Sequence, residues 1–414
     1  MKNILFLFML LGSYLYAQDS TKVLFIGNSI TYFNDMPQTF EAIANSKNDL
    51  TSVTVYAPGG TGFLNHVNDA NVYSHFRSEE WDYVVLQPGS NESPGYSEPI
   101  ASTLTRARQL NDSIHHYSPC AKVLYYEISY GVWGSTAANL VQYNETMDLI
   151  KSNLIHLADS TQNGFVPAGE GLRTAWNADQ TVMLWGSPGD IHPNQRGSYV
   201  TACSFYASIF NAPSYGTTVL GGLSLQEANE YQTLADTTVL NHKPEWRLGE
   251  FDLVSDFSYM SNGVDIVNFF DNSLNADSVH WDFGDGTTSN LLNPIHTYNT
   301  VDNFDVIHTA YQNGCAKDTV LTVEIQMLSI TNSEEKESFK IYPNPAQDQF
   351  ELKIEKNNES FYVTIVNVAG KAVFSESIID QTNLKVDFSN QSKGLYFVTL
   401  TSDKTSWTKK VILK

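Results

Sequence analysis

The sequence predicts an α/β domain with a parallel sheet, followed by two smaller β-rich units. Between residues 21 and 222, short apolar runs alternate with helical patterns, which indicates a parallel sheet covered by helices on both faces. After about residue 250 the helical periodicity ends, and short β-type runs with turn residues follow. A chain of 414 residues is too long for one ordinary domain, so several domains are expected.

Each predicted strand of the first block is a run of apolar residues, and each predicted helix has apolar residues at helical spacing. The predicted strands lie at residues 23–26, 52–56, 83–86, 123–126 and 165–167. The predicted helices lie at residues 37–45, 102–117, 140–160 and 197–209, with a trailing helix and extended tail at 224–242.

The rest of the chain reads as β structure separated by a polar linker. Strands are predicted at residues 257–259, 265–270, 279–283, 305–311 and 319–325, with a hairpin at Gly284-Asp285-Gly286. We expect a signal peptide at 1–17, the α/β domain at 18–248, a β-sandwich at 249–327, a linker at 328–338 and a C-terminal β unit at 339–414.

The N-terminus is typical of a secretory signal, with Lys2 before a short apolar core and a small residue, Ala17, at the expected cleavage site. The apolar core is too short to span a bilayer, and no other stretch predicts a membrane span in the mature protein. A net charge of −21 argues against nucleic acid and against an anionic membrane surface as partners. We therefore expect an exported protein.

The cysteines and histidines predict neither a disulfide framework nor a metal or cofactor site. Cys120 and Cys203 lie in apolar surroundings and are expected to be buried free thiols, and Cys315 is expected to be unpaired. The histidines are dispersed, and no cluster has the spacing of metal ligands.

Candidate catalytic groups follow the predicted strands of the first block. Ser29 comes directly after the first strand, where ligands bind in open α/β sheets, although a serine there is more often a helix cap. Asn91 follows the third strand and is either an oxyanion donor or a turn residue. His192 would take the proton of Ser29 with Asp190 holding the imidazole, or it is a structural loop histidine.

A glycine loop, Gly59-Gly60-Thr61-Gly62, follows the second predicted strand. Glycine lets a backbone N–H approach a substrate closely, although an ordinary turn has the same composition. The loop is therefore a candidate oxyanion donor only in combination with the other sites.

The order of these sites resembles the SGNH (GDSL-like) hydrolase superfamily from about residue 21 to 222. Gly27-Asn28-Ser29 is similar to its first block, with Asn28 where aspartate is usual. Gly89-Ser90-Asn91-Glu92 and Asp190-Ile191-His192-Pro193 are similar to its later blocks. The resemblance implies a flavodoxin-like three-layer fold around the parallel sheet.

The resemblance also implies roles for single residues. Ser29 would be the nucleophile, and its N–H would share the oxyanion hole with Asn91 and with Gly60, or Gly62 as second choice. His192 would be the general base and then the general acid.

One position departs from the superfamily pattern. The superfamily usually places its aspartate three residues before the histidine, where this chain has Gly189. Either Asp190 reaches the imidazole from the loop, or a backbone carbonyl holds the ring instead.

Two further resemblances cover the rest of the chain. Trp281-Asp282-Phe283-Gly284-Asp285-Gly286, followed by Asn293-Pro294 and Tyr298, is similar to the PKD domain, an immunoglobulin-like β-sandwich, which would place Trp281 and Tyr298 in its core. Tyr342-Pro343-Asn344-Pro345, Gly394-Leu395-Tyr396 and the basic C-terminus resemble the sorting domain of the type IX secretion system. The second resemblance implies that the secretion machinery is a partner and that the protein is secreted or held at the cell surface.

The sequence as a whole predicts a secreted serine esterase that removes short acyl groups, acetyl first among them, from carbohydrate. Two alternatives stay open: a non-catalytic carbohydrate-binding or adhesion protein, and a lipid esterase. Several polar and aromatic residues near strand ends either line a sugar-binding cleft or are scattered structural residues; they are Gln87, Glu127, Trp133, Glu170, Arg173 and Trp176.

Overall fold

The structure is a computed structural model that describes residues 20–134, 136–262, 264–326, 339–354, 360–379, 382–402 and 406–414. The predicted signal peptide and the predicted linker lie outside the described residues. The chain divides into two compact units, with the division between residues 327 and 328. The first unit holds the α/β block and a β-sandwich, and the second holds the C-terminal β unit.

The α/β block alternates strands and helices as predicted. Its strands are β1 (Thr21–Ile26), β2 (Thr51–Tyr56), β3 (Tyr83–Leu86), β4 (Lys122–Tyr126) and β5 (Gly164–Val166). Its helices are α1 (Ser29–Tyr32), α2 (Met36–Ser46), α3 (Phe63–His66), α4 (Ala70–Phe76), α5 (Ile100–Tyr117), α6 (Ala137–Thr161), α7 (Ala168–Ala178), α8 (Gln195–Phe210) and α9 (Leu225–Leu240).

The five strands form one parallel sheet in the order β2-β1-β3-β4-β5. Ile26 at the end of β1 pairs with Tyr56 of β2 and with Leu86 of β3. This is the flavodoxin-like order, in which the chain reverses direction across the sheet beside β1. The flavodoxin-like parallel sheet predicted for the first block is therefore confirmed, and the reversal point lies where Ser29 leaves β1.

The sheet is covered by helices on both faces because its central strands are apolar on both sides. Val23, Leu24, Phe25 and Ile26 are all fully buried, as a strand between two helix layers requires. Helix α2 packs against α8, and α8 against α7 and α9. Helix α5 packs against α6, α3 and α4. Right-handed crossovers from β1 to β2 and from β3 to β4 put α2 and α5 on opposite faces.

A β-sandwich follows the α/β block within the first unit. Its strands are β6 (Phe257–Ser261), β7 (Ile266–Asp271), β8 (Ser278–Asp282), β9 (Thr288–Ser289), β10 (Ile295–Thr297), β11 (Asn303–Gln312) and β12 (Cys315–Glu324). They form two antiparallel sheets, β10-β7-β6 and β12-β11-β8-β9. Trp281 and Tyr298 are buried in its core, as predicted, and the Tyr298 hydroxyl donates to the carbonyl of Phe283 over 3.0 Å.

A disulfide joins the sandwich to the α/β block, and it corrects the sequence prediction. Cys120, in the turn before β4, is bonded to Cys315, the first residue of β12. The prediction that Cys120 is a free thiol and Cys315 unpaired is therefore wrong, whereas Cys203 is a buried free cysteine as expected. The two bonded residues are 195 positions apart, and nothing in their local sequence indicates that the folds of two blocks bring them together.

The second unit is a smaller two-sheet sandwich. Its strands are β13 (Phe339–Tyr342), β14 (Gln349–Ile354), β15 (Ser360–Asn367), β16 (Ala372–Ile379), β17 (Asn383–Asp387), β18 (Gly394–Thr401) and β19 (Ser406–Leu413). They form the sheets β13-β14-β17 and β16-β15-β18-β19, which confirms the predicted β character of this unit. In the described part of the chain, no helix has the length and apolar character needed to cross a bilayer.

Four of the helices in the described part of the chain were not predicted from the sequence, for reasons of length or position. Helices α1, α3 and α4 have four, four and seven residues, too few for a period to show in the sequence. Helix α7 begins directly after Pro167, where the short predicted strand hid its start. The predicted boundaries at residues 17, 248 and 338 stay predictions.

Candidate functional site

The nucleophile candidate Ser29 opens α1 at the point where β1 ends. Asn28 is the helix cap: its Oδ1 accepts from the Ile30 N–H over 2.9 Å. Ser29 is partly exposed, whereas Ile30 and Asn28 are buried. The cap therefore fixes the turn and leaves the Ser29 side chain and its backbone N–H at the sheet edge.

Gln87, which directly follows β3, stabilises residues 27–29, called here the nucleophile turn. From the sequence, this glutamine was a candidate for lining a sugar-binding cleft. Gln87 Oε1 accepts from the Asn28 N–H over 3.0 Å and from the Thr31 hydroxyl over 2.8 Å. A Cβ on Gly27 would lie 2.2 Å from Thr31 Oγ1, so only glycine fits there. Gln87 is fully buried and is a structural residue of the nucleophile turn.

The structure brings Ser29, His192 and Asp190 into one hydrogen-bonded chain. Ser29 Oγ lies 2.9 Å from His192 Nε2, across 163 positions of sequence. His192 Nδ1 lies 2.7 Å from Asp190 Oδ1. An imidazole with the proton on Nδ1 donates to the carboxylate and leaves Nε2 to accept the serine proton, which is the arrangement of a serine-hydrolase triad.

Asp190 reaches the imidazole because the loop turns the Asp190 side chain back toward His192, two residues later in the chain. Its Oδ1 accepts from the His192 backbone N–H over 2.9 Å as well as from the ring. A Cβ on Gly186 would lie 2.5 Å from Asp190 Oδ2, and a Cβ on Gly131 would lie 2.3 Å from the Asp190 carbonyl oxygen. Glycines on two neighbouring segments thus leave the space in which Asp190 turns back on its own loop.

The charge of Asp190 suits this position. Burial works to raise the pKa of Asp190, but the bonds from the His192 backbone and ring outweigh it, so that the pKa of this carboxyl lies below its ordinary value. Asp190 is therefore ionised beside the imidazole.

The two candidate glycines of the loop differ in whether their N–H groups already have a partner among the described residues. The Gly62 N–H donates to Asn65 Oδ1 over 3.1 Å, so it is already used. Gly60 is exposed, has a φ of 73° that favours glycine, and its N–H has no backbone partner among the described residues. The geometry favours Gly60 over Gly62 as the loop donor.

Asn91, the predicted side-chain donor, is exposed in the loop after β3. Its backbone carbonyl accepts from the N–H groups of Tyr96 and Ser97 over 2.8 and 3.1 Å, so the loop folds around it. The next residue, Glu92, is buried and accepts from the N–H groups of Phe63 and Leu64 at the start of α3. The structure joins Asn91 to no group of Ser29 or His192 within the described residues, and its role in an oxyanion hole stays a proposal.

Two contacts tie the glycine loop to the nucleophile turn, and both involve residues outside the predicted site. Asn28 Nδ2 donates to the Thr61 carbonyl over 2.7 Å. His66 is fully buried, and its Nε2 lies 3.1 Å from the Gly27 carbonyl and 3.0 Å from Thr61 Oγ1. Burial lowers the pKa of His66, so the ring is neutral and donates from Nε2 to the carbonyl.

Most of the residues assigned to a possible sugar cleft are structural. Glu127 and Trp176 are buried, and Arg173 forms ion pairs with Glu170 and Asp148. Their local patterns do not separate a strand-end residue that faces solvent from one covered by the next loop. Only the burial of these side chains in the folded chain shows that they are structural residues.

Trp133 is the exception among these candidates. Its side chain is 62% exposed. Its indole covers Gly189, where a Cβ would lie 2.6 Å from Trp133 Cε2, and Gly189 directly precedes Asp190. An exposed aromatic face therefore lies beside the Ser29–His192–Asp190 chain.

The C-terminal unit matches a known family. Residues 340–414 match the family described as "Secretion system C-terminal sorting domain". The chain carries a type IX sorting tail. This tail confirms the predicted export to the cell surface or medium, and it implies the secretion machinery as a partner.

Solved structures are similar to the first unit at low identity. A DUF4886 family protein from Bacteroides uniformis is 16% identical, with 54% of this chain and 95% of that chain covered and a TM-score of 0.47. A protein from Slackia heliotrinireducens, provisionally described as an SGNH hydrolase, is 22% identical, with 45% and 98% covered and a TM-score of 0.38. A PKD1 domain from Vibrio anguillarum is 25% identical, with 18% and 94% covered and a TM-score of 0.17. No curated protein matches the chain.

Proposed function

We propose that this exported protein is a serine esterase that hydrolyses short acyl esters on carbohydrate. The observation that carries the proposal is the continuous chain of hydrogen bonds from Ser29 Oγ through His192 to Asp190, with lengths of 2.9 and 2.7 Å. Three residue types in this order serve nucleophilic acyl transfer, and the chain lies at the sheet edge where open α/β folds bind ligands.

The reaction begins with the attack of Ser29 Oγ on the ester carbonyl carbon while His192 Nε2 takes the hydroxyl proton. The tetrahedral oxyanion is held by the N–H groups of Ser29 and Gly60 and by the Asn91 amide. Removing one such donor typically costs about 3–4 kcal/mol of transition-state stabilisation. His192 then gives its proton to the departing sugar oxygen, which leaves an acyl group on Ser29.

The second half of the reaction uses the same groups. A water molecule loses a proton to His192 Nε2 and attacks the acyl carbon, and the acid leaves as Ser29 regains its hydrogen. Asp190 keeps its negative charge throughout and stabilises the imidazolium form of His192 in both halves.

Carbohydrate as the alcohol part is supported by the surface around the site. Tyr32 and Trp133 are 44% and 62% exposed, and both belong to segments that border the catalytic groups. Aromatic faces with wet edges suit the alternating apolar and hydroxyl faces of sugar rings. The sorting tail supports export, and an exported esterase can reach polysaccharides outside the cell.

The test is hydrolysis of p-nitrophenyl acetate, butyrate and octanoate by the purified full chain, followed by release of acetate from acetylated polysaccharides. The matched variants are Ser29→Ala and, as a control, Ser187→Ala, an exposed serine on the loop that carries His192. We expect activity with acetate that is lost in Ser29→Ala and kept in Ser187→Ala.

Other outcomes would favour the alternative functions. A preference for octanoate would favour a lipid esterase. A folded protein that hydrolyses none of the esters and whose Ser29 does not react with a fluorophosphonate would favour a carbohydrate-binding protein on this scaffold.

A further inference from the structure

A short 3-10 turn, Phe33–Asp35, joins α1 to α2 four residues after Ser29. We propose that this turn, called here the Phe33–Asp35 strap, is a positioning device that holds His192 above Ser29. The inference rests on the proposed function, because it concerns the same catalytic histidine. Nothing in the sequence pattern singled out these residues.

The first observation is a ring contact. The Phe33 ring stacks on the His192 imidazole, with 4.3 Å between the ring centroids and 27° between the planes. His192 is otherwise held at Nδ1 by Asp190 and through its carbonyl by the Gly186 N–H. Those contacts lie in or near the plane of the ring or on the backbone, whereas the Phe33 ring packs against its face.

The second observation is a side-chain bridge from the strap to the loop of His192. Asn34 Nδ2 donates to the carbonyl of Pro193 over 2.8 Å and to Ser198 Oγ over 3.0 Å. Pro193 directly follows His192, and Ser198 lies on α8. The Ser198 hydroxyl in turn donates to the Phe33 carbonyl over 3.3 Å. The Asn34 amide therefore joins the strap to the histidine loop at Pro193 and to α8 at Ser198.

The third observation is backbone strain in the strap. Asn34 has φ 53° and ψ 34°, and Asp35 has φ 53° and ψ 39°, which places two successive non-glycine residues in the left-handed region. Such residues are disfavoured, although asparagine and aspartate tolerate the region better than others. The contacts of Phe33 and Asn34 keep the strap in this conformation.

Together the contacts act on the orientation of His192. The stacked Phe33 ring holds the plane of the imidazole. The hydrogen bonds of Asn34 hold the position of the backbone that carries His192. The 2.9 Å distance between His192 Nε2 and Ser29 Oγ depends on both. The aromatic face also favours the imidazolium that forms when Ser29 attacks, since a cation over a ring face is attracted to it.

The kinetic test compares four variants in the full chain. Phe33→Leu keeps an apolar side chain but removes the aromatic ring, whereas Phe33→Tyr keeps an aromatic ring. Asn34→Gly removes the amide but fits the left-handed backbone, so it relieves strain. Tyr117→Leu is the control, because Tyr117, at the end of α5, is an aromatic of nearly the same exposure as Phe33 (38% and 37%) and has no part in the proposed site.

We expect Phe33→Leu and Asn34→Gly to lower kcat by about 10-fold to 100-fold, as small misplacements of catalytic groups do. KM should change by less than about 3-fold, because the lost interaction belongs to the chemical step. Phe33→Tyr should restore kcat, and Asn34→Gly should keep or raise Tm. Unchanged kcat in Phe33→Leu and Asn34→Gly, or a loss of Tm parallel to kcat, would overturn the inference.

A second measurement needs no turnover. Carbon-13 relaxation of the His192 ring, with the enzyme labelled at histidine, reports how firmly the imidazole is held. Increased ring motion in Phe33→Leu and Asn34→Gly but not in Tyr117→Leu supports the strap. Unchanged ring motion in both variants would overturn it. A wild-type chain without ester hydrolysis would instead count against the proposed function, and the ring measurement would still decide about the strap.

Discussion

Asp190 Oδ1 lies 2.7 Å from His192 Nδ1 although a single residue separates them in the chain. The same oxygen also accepts from the His192 backbone N–H over 2.9 Å, so the aspartate closes a small turn around the histidine it supports. The displaced aspartate is thus no obstacle to a Ser-His-Asp arrangement. The glycines at positions 186 and 131 are part of this solution, because they leave room for the turn.

Replacing Asp190 separates the charge of the carboxylate from its role in the turn. Asp190→Asn keeps an oxygen that accepts the His192 backbone N–H but removes the charge that favours the imidazolium. We expect kcat to fall by about 10²–10⁴-fold with little change in Tm. Steady-state kinetics with p-nitrophenyl acetate, beside thermal unfolding, would check this, and kcat within about 2-fold of wild type would contradict the role of Asp190.

Gly186 is expected to matter through the space it leaves for Asp190. A Cβ at this position would lie 2.5 Å from Asp190 Oδ2, so Gly186→Ala pushes the carboxylate away from its place. We expect kcat to fall by about 10-fold or more while Tm changes little, since residue 186 is exposed. Ser187→Ala on the same loop is the control and should retain wild-type kcat.

Asn28 occupies the position where the superfamily that this chain resembles has aspartate. The Asn28 amide nitrogen donates a hydrogen bond, which an aspartate side chain cannot do when ionised. Asn28→Asp keeps the oxygen that caps α1 but loses the donation to the Thr61 carbonyl and brings two oxygens together there. We expect a looser glycine loop and a kcat lower by about 10-fold, with most of the helix stability kept. Asn28→Ala, which also loses the cap, should in addition lose about 1 kcal/mol of stability. Wild-type kcat in Asn28→Asp would show that the amide donation is not needed.

Glu127 predicts a pH dependence of stability. Burial, and then the nearby Glu170, raise the pKa of Glu127 from an ordinary value of 4.5 to about 8. The folded chain therefore holds a proton that the unfolded chain loses between these values, and the free energy of unfolding falls as pH rises through this window. Below the window, both states are protonated and Glu127 adds no slope.

Glu127→Gln tests this dependence. The amide oxygen would still accept from the Glu170 N–H, which now donates to Glu127 Oε2 over 2.8 Å, but the group no longer titrates. Between pH 5 and pH 9, we expect the variant to lose less Tm than the wild type, with a gain at pH 9 of at least about 1 kcal/mol or ~2–4 °C. Glu145→Gln, at an exposed position of α6, is the control, and identical pH profiles of wild type and Glu127→Gln would disprove the prediction.

The disulfide between Cys120 and Cys315 should stabilise the first unit by linking its two folds. It closes a loop of nearly two hundred residues, and loss of a native disulfide typically costs about 2–5 kcal/mol. We expect reductant to lower the Tm of the wild type and to leave Cys120→Ser unaffected. Equal Tm with and without reductant, in protein shown to be reduced, would contradict this stabilising role.

The sequence by itself determined the main elements of the fold and the order in which the candidate catalytic residues follow those elements. Apolar runs such as that of β1 predicted the parallel sheet, because a strand covered on both faces must be apolar throughout. Ser29 and His192 were found from their places after strand ends and before α8. The sorting tail was recognisable from its own motifs, because those motifs are local.

The tertiary structure decided what depends on contacts between distant segments. Gln87, His66 and the Phe33–Asp35 strap act on the site only because folding brings them against the nucleophile turn or the histidine loop. The Cys120–Cys315 bond, across 195 positions, and the burial of Glu127 follow from the same cause. A pattern along the chain reports periodicity and local turns, whereas packing against another segment sets burial, partners and pKa, and these are properties of the folded chain alone.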